Sequence, residues 1–245
     1  MYRDKLDVLV DLTTKIYSHC EKNNLICDIV YVDGGECTGT TTAVSKICEK
    51  LPKSSKRREP SQECKDTTLK EFFENGSIIN PSEYLHTLLN IFLTDRKVNQ
   101  ANTKKGTITV SDRGIFSTII YQSGILDTEI SIDDVRANCN TIFDEFVKMG
   151  IKIPKLAINL ISVDGDHALD TVEFKRRLDK RTKNDEQDLD NMDNVIMMNI
   201  VNKVYSDLSL ALKQNTNIQN LIVIDFKCSI DDVVKYSLAE INSRF

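Results

Sequence analysis

Apolar positions along the chain switch between a period near 3.6 and a period of 2, which marks out an alternating series of helices and strands. Leu6, Leu9, Val10, Thr13, Ile16, Tyr17 and Cys20 fall at helical spacing and predict an amphipathic first helix. The run from Leu25 to Val32 is short, apolar and β-branched, and it ends in Asp33-Gly34-Gly35, as a buried parallel strand does before a glycine turn. A helix is predicted from Thr41 to about Leu51. Asn80-Pro81-Ser82-Glu83 supplies an N-cap, a proline at the first helical position and a capping acid, so a long helix should run through Phe92 and Arg96. Thr107 to Asp112 reads as a strand and Phe116 to Ser123 as a short helix. Ser131-Ile132-Asp133-Asp134 caps a helix reaching Met149, and a strand follows from Leu156 to Val163. A basic helix over Ala168 to Arg181, a helix from Leu189 to about Gln214, a strand over Leu221 to Asp225 and a closing helix over Ser229 to Arg244 complete the series.

Strands alternating with helices imply a mainly parallel sheet covered on both faces, with ligands bound at the carboxyl ends of its strands. With 245 residues and no internal repeat or low-complexity linker, one α/β domain is expected, preceded by the helical extension at 1–24. Hydrophobic residues make up 40% and charged residues 28%, an ordinary globular balance, and no apolar run approaches the ~18 residues of a membrane span. The N-terminal segment is interspersed with acids and has no secretory pattern, so a cytoplasmic protein without membrane partners is expected. Seven cysteines without C-x-x-C spacing fit neither a disulfide framework nor zinc and read as free thiols. A net charge of −5 argues against nucleic-acid binding, although Lys53 to Arg58 and Lys175 to Lys183 form local basic clusters.

The turn after the first strand carries the chemistry. Gly34-Gly35-Glu36-Cys37-Thr38-Gly39-Thr40-Thr41 fits the phosphate-loop pattern of glycine, four residues, glycine, lysine and serine or threonine, except that Thr40 stands where the lysine belongs. Glycines let backbone N–H groups turn inward around phosphate oxygens at a helix N-terminus, and the Thr41 hydroxyl can reach Mg²⁺. Losing one charged donor at such a site costs about 10²–10³ in rate. Arg177, Arg181 and Lys183, in the second basic cluster, are candidates to supply the missing charge.

Four segments, in order, resemble thymidylate kinases. YVDGGECTGTTT is similar to that family's FEGGEGSGKTT, RREPS to REPGG, FLTDR to FxADR, and SDRGIFSTIIYQSG to DRYIDSSLAYQG. The likeness covers roughly Ile26 to Leu210 and leaves the first helix outside. It implies a P-loop NTPase-type three-layer α/β/α fold over residues 25–245, a five-stranded sheet and a small helical lid at about 176–188. By the same resemblance ATP occupies Gly34, Gly35, Glu36, Cys37, Thr38, Gly39, Thr40, Thr41 and Thr42, and Mg²⁺ is held through Thr41, Asp33 and Asp112. Arg58 and Arg113 would grip the acceptor phosphate, Phe92 would stack on a pyrimidine, and Arg96, Thr118 and Gln122 would bond its edge. Tyr121 would crowd the sugar 2′ position and Glu36 would accept from its 3′-hydroxyl. Asp33, Arg58, Arg113, Arg177, Arg181 and Lys183 make up the expected catalytic set, and a homodimer is the family default. Besides Thr40, the departures are Cys37 for a loop glycine, Ser61-Gln62 for the REPGG glycines, Gly114 for an aromatic, and a polar stretch before Arg58. A polar strand there fits a sheet edge.

The implied activity is ATP-dependent phosphorylation of a deoxypyrimidine monophosphate: dTMP, dUMP or a 5-modified dUMP. Two other readings stay open. One is a deoxynucleoside kinase acting on a 5′-hydroxyl, against which the two arginines speak; the other is a relative that binds nucleotide without turning it over, which Thr40 alone supports.

Overall fold

The computed structural model describes residues 2–35, 37–75, 81–163, 192–216 and 218–245. The amphipathic N-terminal segment forms α1 (Tyr2–Lys22), the apolar run forms β1 (Ile26–Gly34), and α2 (Thr40–Lys50) follows the glycine turn. The polar stretch is β2 (Ser54–Arg58), and after it come α3 (Gln62–Cys64), a π-helical turn (Lys65–Leu69) and α4 (Lys70–Asn75). α5 (Pro81–Ala101), β3 (Ile108–Asp112), α6 (Ile115–Gln122), α7 (Ile132–Met149) and β4 (Ile153–Ile161) lead to α8 (Met192–Asn215), β5 (Leu221–Asp225) and α9 (Ile230–Arg244). The predicted basic helix Ala168–Arg181 and the lid at 176–188 lie outside the described residues.

The five strands pair in parallel in the order β2-β3-β1-β4-β5. Alternation along β1 decides what each face covers. Ile29 and Tyr31 point into a core shared with α1, α6, α7 and α8, whereas Val30 and Val32 point into one shared with α2 and α9. The sheet is thus covered on both faces, a three-layer α/β/α arrangement. β2 sits at the edge, which explains how Ser54-Ser55-Lys56-Arg57-Arg58 can be a strand: one side of its backbone meets solvent.

Caps close the helices where the sequence marked them. Ser131 Oγ accepts from the Asp134 N–H at 3.1 Å, Gly150 ends α7 at φ 62°, and Ser229 Oγ accepts from the Asp232 N–H at 3.2 Å. β4 begins three residues before its predicted start at Leu156. Pro154 donates nothing to the ladder, and the strand tolerates it because the Ile153 N–H faces β1, so the next nitrogen faces the β5 side, where pairing begins only at Ala157.

The helix outside the family likeness is no loose appendage. Leu9, Leu12, Ile16, Tyr17 and Cys20 are each at most 2% exposed, packed against α7, α8, α6 and β4. A smaller cluster of Cys64, Leu69 and Leu88, joined by Phe72, Ile91 and Phe92, binds the 62–75 helical stretch to α5. No helix among the described residues is long and apolar enough to cross a membrane. All seven cysteines are free thiols.

Candidate functional site

At the carboxyl ends of β1, β2 and β3 the chain turns into a loop on one side and a cavity on the other. β1 ends in Gly34, and the loop passes through Cys37 at φ 61° and Gly39 at φ 94° before α2 begins at Thr40. Glu36 lies outside the described residues. The Thr38 hydroxyl donates to the Gly35 carbonyl at 3.0 Å and braces the turn. Gly35 can only be glycine: a Cβ there would overlap Asn202 Oδ1 and lie 2.8 Å from its Cγ. Thr40, in the lysine position, is buried at the first turn of α2. Arg177, Arg181 and Lys183, named as substitutes for that lysine, fall outside the described residues.

Of the three residues expected at a metal, two meet. Thr41 Oγ1 donates to Asp112 Oδ2 at 2.6 Å, while Asp112 Oδ1 is buried with no partner among the described residues. Asp33 is turned to the opposite face of the sheet. β1 and β3 pair Val32 with Asp112, so the next residue, Asp33, projects the other way. There its Oδ1 accepts from Ser117 Oγ at 2.5 Å and lies 3.4 Å from the Tyr205 hydroxyl, which is itself 2.7 Å from Ser117 Oγ. Burial pushes the Asp33 carboxyl above its ordinary value, against the pull of the Ser117 bond and the Arg96 cation. Among the described residues no cluster of three or more His, Cys, Asp or Glu could hold a metal by itself. That suits Mg²⁺, which is commonly held by one or two protein oxygens, substrate phosphates and water. The Thr41 hydroxyl and the orphaned Asp112 oxygen offer such a partial set.

The cavity, about 500 Å³, lies between the 62–75 helical stretch, α5 and α6. Every described member of the expected acceptor set lines it: Arg58, Phe92, Arg96, Arg113, Thr118, Tyr121 and Gln122. Arg58 ends β2 directly opposite Asp112 in register, whereas Arg113, the residue after Asp112, turns toward the Tyr121 ring. Arg113 takes φ 76°, donates its N–H to the Val32 carbonyl at 3.0 Å, and lies 5.8 Å from the Tyr121 ring centroid.

Arg96 is the most constrained of the set. It is 2% exposed; its Nε donates to Glu59 Oε2 at 2.7 Å, and its Nη2 reaches the Gly114 carbonyl at 2.8 Å and Thr118 Oγ1 at 3.0 Å. Nη1 has no partner among the described residues, and neither does Gln122 Oε1; both are buried atoms of residues that line the cavity. Burial raises the Glu59 carboxyl above its ordinary value and the Arg96 charge draws it back, so the two stand as a buried ion pair. Gly114, an aromatic in the family pattern, is explained by its neighbour: a Cβ there would lie 2.5 Å from Tyr31 Cγ. The Tyr31 ring fills that space.

Several lining residues escaped the sequence reading. Glu59 sits in the RREPS motif and could have been found as the partner of Arg96. Leu69 and Phe73, at a helical i,i+4 spacing, come from the stretch for which no element was predicted, and Lys65 joins them. Ser117 also lines the cavity, but nothing local signals its link to Tyr205 far along the chain.

No protein-family model and no curated protein matches the chain. Among solved structures it is similar to a deoxyadenosine kinase from M. mycoides bound to dCMP and dCDP, at 15% identity and a TM-score of 0.57, over 88% of this chain and 98% of that one. It is also similar to a thymidylate kinase from Candida albicans, at 18% identity and a TM-score of 0.56, over 88% of this chain and 91% of that one. What the chain shares with them is the fold, an α/β P-loop arrangement around a parallel five-stranded sheet.

Proposed function

We propose that the chain transfers a phosphoryl group from ATP to a deoxypyrimidine monophosphate. The observation that carries this reading is the gathering of Arg58, Arg113, Phe92, Arg96, Thr118, Tyr121 and Gln122 around one cavity, with Arg58 in register with Asp112 of the Thr41–Asp112 pair. Phosphoryl transfer asks for positioning and charge neutralisation more than covalent help. ATP lies on the loop from Gly34 to Thr42. Thr41 and Asp112 would hold Mg²⁺, with Asp33 acting at most through water, and the ion would supply neutralising charge at the donor phosphates when bound. Arg58 and Arg113 grip the acceptor phosphate with forked donors and set it in line. Phe92 stacks on the base, and Arg96 Nη1, Thr118 and Gln122 bond its edge. Tyr121 crowds the 2′ position and Glu36 accepts from the 3′-hydroxyl. Arg177, Arg181 and Lys183, outside the described residues, are the proposed source of the charge Thr40 lacks. The protein works as a homodimer by analogy with the family.

The test is coupled ATP consumption with a panel of dTMP, dUMP and other monophosphates, run beside Thr40→Lys. Turnover with a pyrimidine monophosphate in the natural protein supports the proposal. Turnover only in Thr40→Lys favours a nucleotide-binding protein that has lost catalysis. The likeness to a deoxyadenosine kinase keeps a second reading, phosphorylation of a nucleoside 5′-hydroxyl. That acceptor needs a base, and the acid in the cavity, Glu59, is bound to Arg96. Calorimetry separates the two: dTMP should bind far more tightly than thymidine, and equal binding would favour the nucleoside.

A further inference from the structure

The inner face of α8 carries a polar row beside the apolar Val201, Val204, Leu208 and Leu212. Asn202, Tyr205, Ser206 and Ser209 recur at helical spacing, and each is at most 2% exposed. Ser209 Oγ accepts from Asn159 Nδ2 at 2.8 Å, Ser206 Oγ accepts from the Ser162 N–H at 3.1 Å, and Asn202 packs over Gly35 of the loop. Tyr205 is the member that reaches both halves of the site. Its hydroxyl lies 2.7 Å from Ser117 Oγ, and Ser117 Oγ lies 2.5 Å from Asp33 Oδ1.

Those three groups leave Ser117 little freedom. A hydroxyl has one donor and two acceptor sites. With its proton given to Asp33, the Ser117 oxygen accepts the Tyr205 proton, and turning it toward the cavity breaks both bonds. Asp33 directly precedes Gly34 and Gly35, so movement of the loop moves Asp33. Ser117 directly precedes Thr118 on the helix that also carries Tyr121 and Gln122. All three side chains are buried, where a partly made bond is costly.

We propose that Tyr205 and Ser117 are positioning residues that lock the root of the phosphate loop to the acceptor helix α6, so that filling one nucleotide site tightens the other. This deepens the proposed function and rests on its two-site reading. Ligand on the loop fixes Asp33, Asp33 fixes Ser117, and α6 then presents its base-reading side chains already ordered. Tyr205 holds the arrangement from behind and touches neither nucleotide.

The full-length chain is titrated with dTMP by calorimetry, with and without a non-hydrolysable ATP analogue and Mg²⁺. The dissociation constant without analogue, divided by that with it, should be at least about fivefold, within the range of coupled sites. Tyr205→Phe should bring the ratio near one. Ser206→Ala removes a neighbouring bond of the same seam and should keep it, which separates coupling from general loosening of α8. In turnover, Tyr205→Phe should lower kcat more than it raises the KM for either substrate. A wild-type ratio near one, an unchanged ratio in Tyr205→Phe, or an equal loss in Ser206→Ala would overturn the proposal. Failure of dTMP to bind at all would count against the functional reading instead. The coupling is then read from amide exchange of residues 115–122 with the ATP analogue alone. Protection seen in wild type and lost in Tyr205→Phe sustains it; no protection in wild type overturns it.

Discussion

Arg96 and Glu59 combine a buried charge pair with an incomplete hydrogen-bond set, because Nη1 of the guanidinium has no protein partner among the described residues. A pair of this kind adds little net stability against apolar neighbours, but removing one member strands the other. Glu59→Gln should therefore destabilise the fold by about 3–5 kcal/mol. Thermal unfolding should show a midpoint lower by roughly 10 °C, and a change within error would mean that Arg96 finds another partner. Thr41 makes a different prediction. Its hydroxyl bonds the buried Asp112 carboxylate, so Thr41→Ala should lower stability by about 1–3 kcal/mol while turnover falls on the order of 10²-fold. Full activity at ordinary Mg²⁺ concentration would remove Thr41 from the metal site.

Among the elements, α1 and β2 reverse what their sequences suggest on first inspection. α1 lies outside the family likeness, yet its apolar stripe fills one of the two cores. Leu12→Ala should cost about 2–5 kcal/mol, measured by denaturant titration, as it does for a leucine deep in any close-packed interior. A cost under ~0.5 kcal/mol would show that α1 is dispensable packing. β2 reads as a loop by composition because strand propensity reports packing, and an edge strand packs on few sides. Its position was inferable only because Arg58 had to reach a site at the strand ends. The 62–75 stretch gave no such clue: its three short pieces bury few side chains, and its apolar residues follow no long period. The part of the cavity wall made by Lys65, Leu69 and Phe73 was therefore illegible, whereas the arginines, Phe92 and α6 were legible from their motifs.

The fold as a unit was readable because long periodic segments and caps agree with the parallel sheet, a consistency that marks foldable sequences. What resisted reading was long-range polar pairing. Ser117, Asp33 and Tyr205 come from three distant segments, and a serine or tyrosine in an apolar helix reads as ordinary packing. Their burial also sets a pH dependence. Asp33 titrates higher in the folded protein than the ~4 of an unfolded chain, so the native state holds the proton longer. Its contribution to stability is full below the unfolded value and is lost as pH rises through the folded one. Asp33→Asn should flatten that decline in denaturant titrations across the acid range; an unchanged slope would show that other groups set it.

The burial of α1 also has a consequence during synthesis. Its apolar stripe leaves the ribosome before α8, one of the helices that cover it, which is complete only at Asn215. At ~5–20 residues per second that stripe waits about 10–40 s without its full partners. A nascent chain of this protein should therefore be an early client of holdase chaperones, and slowed translation should lower its yield more than slowed release.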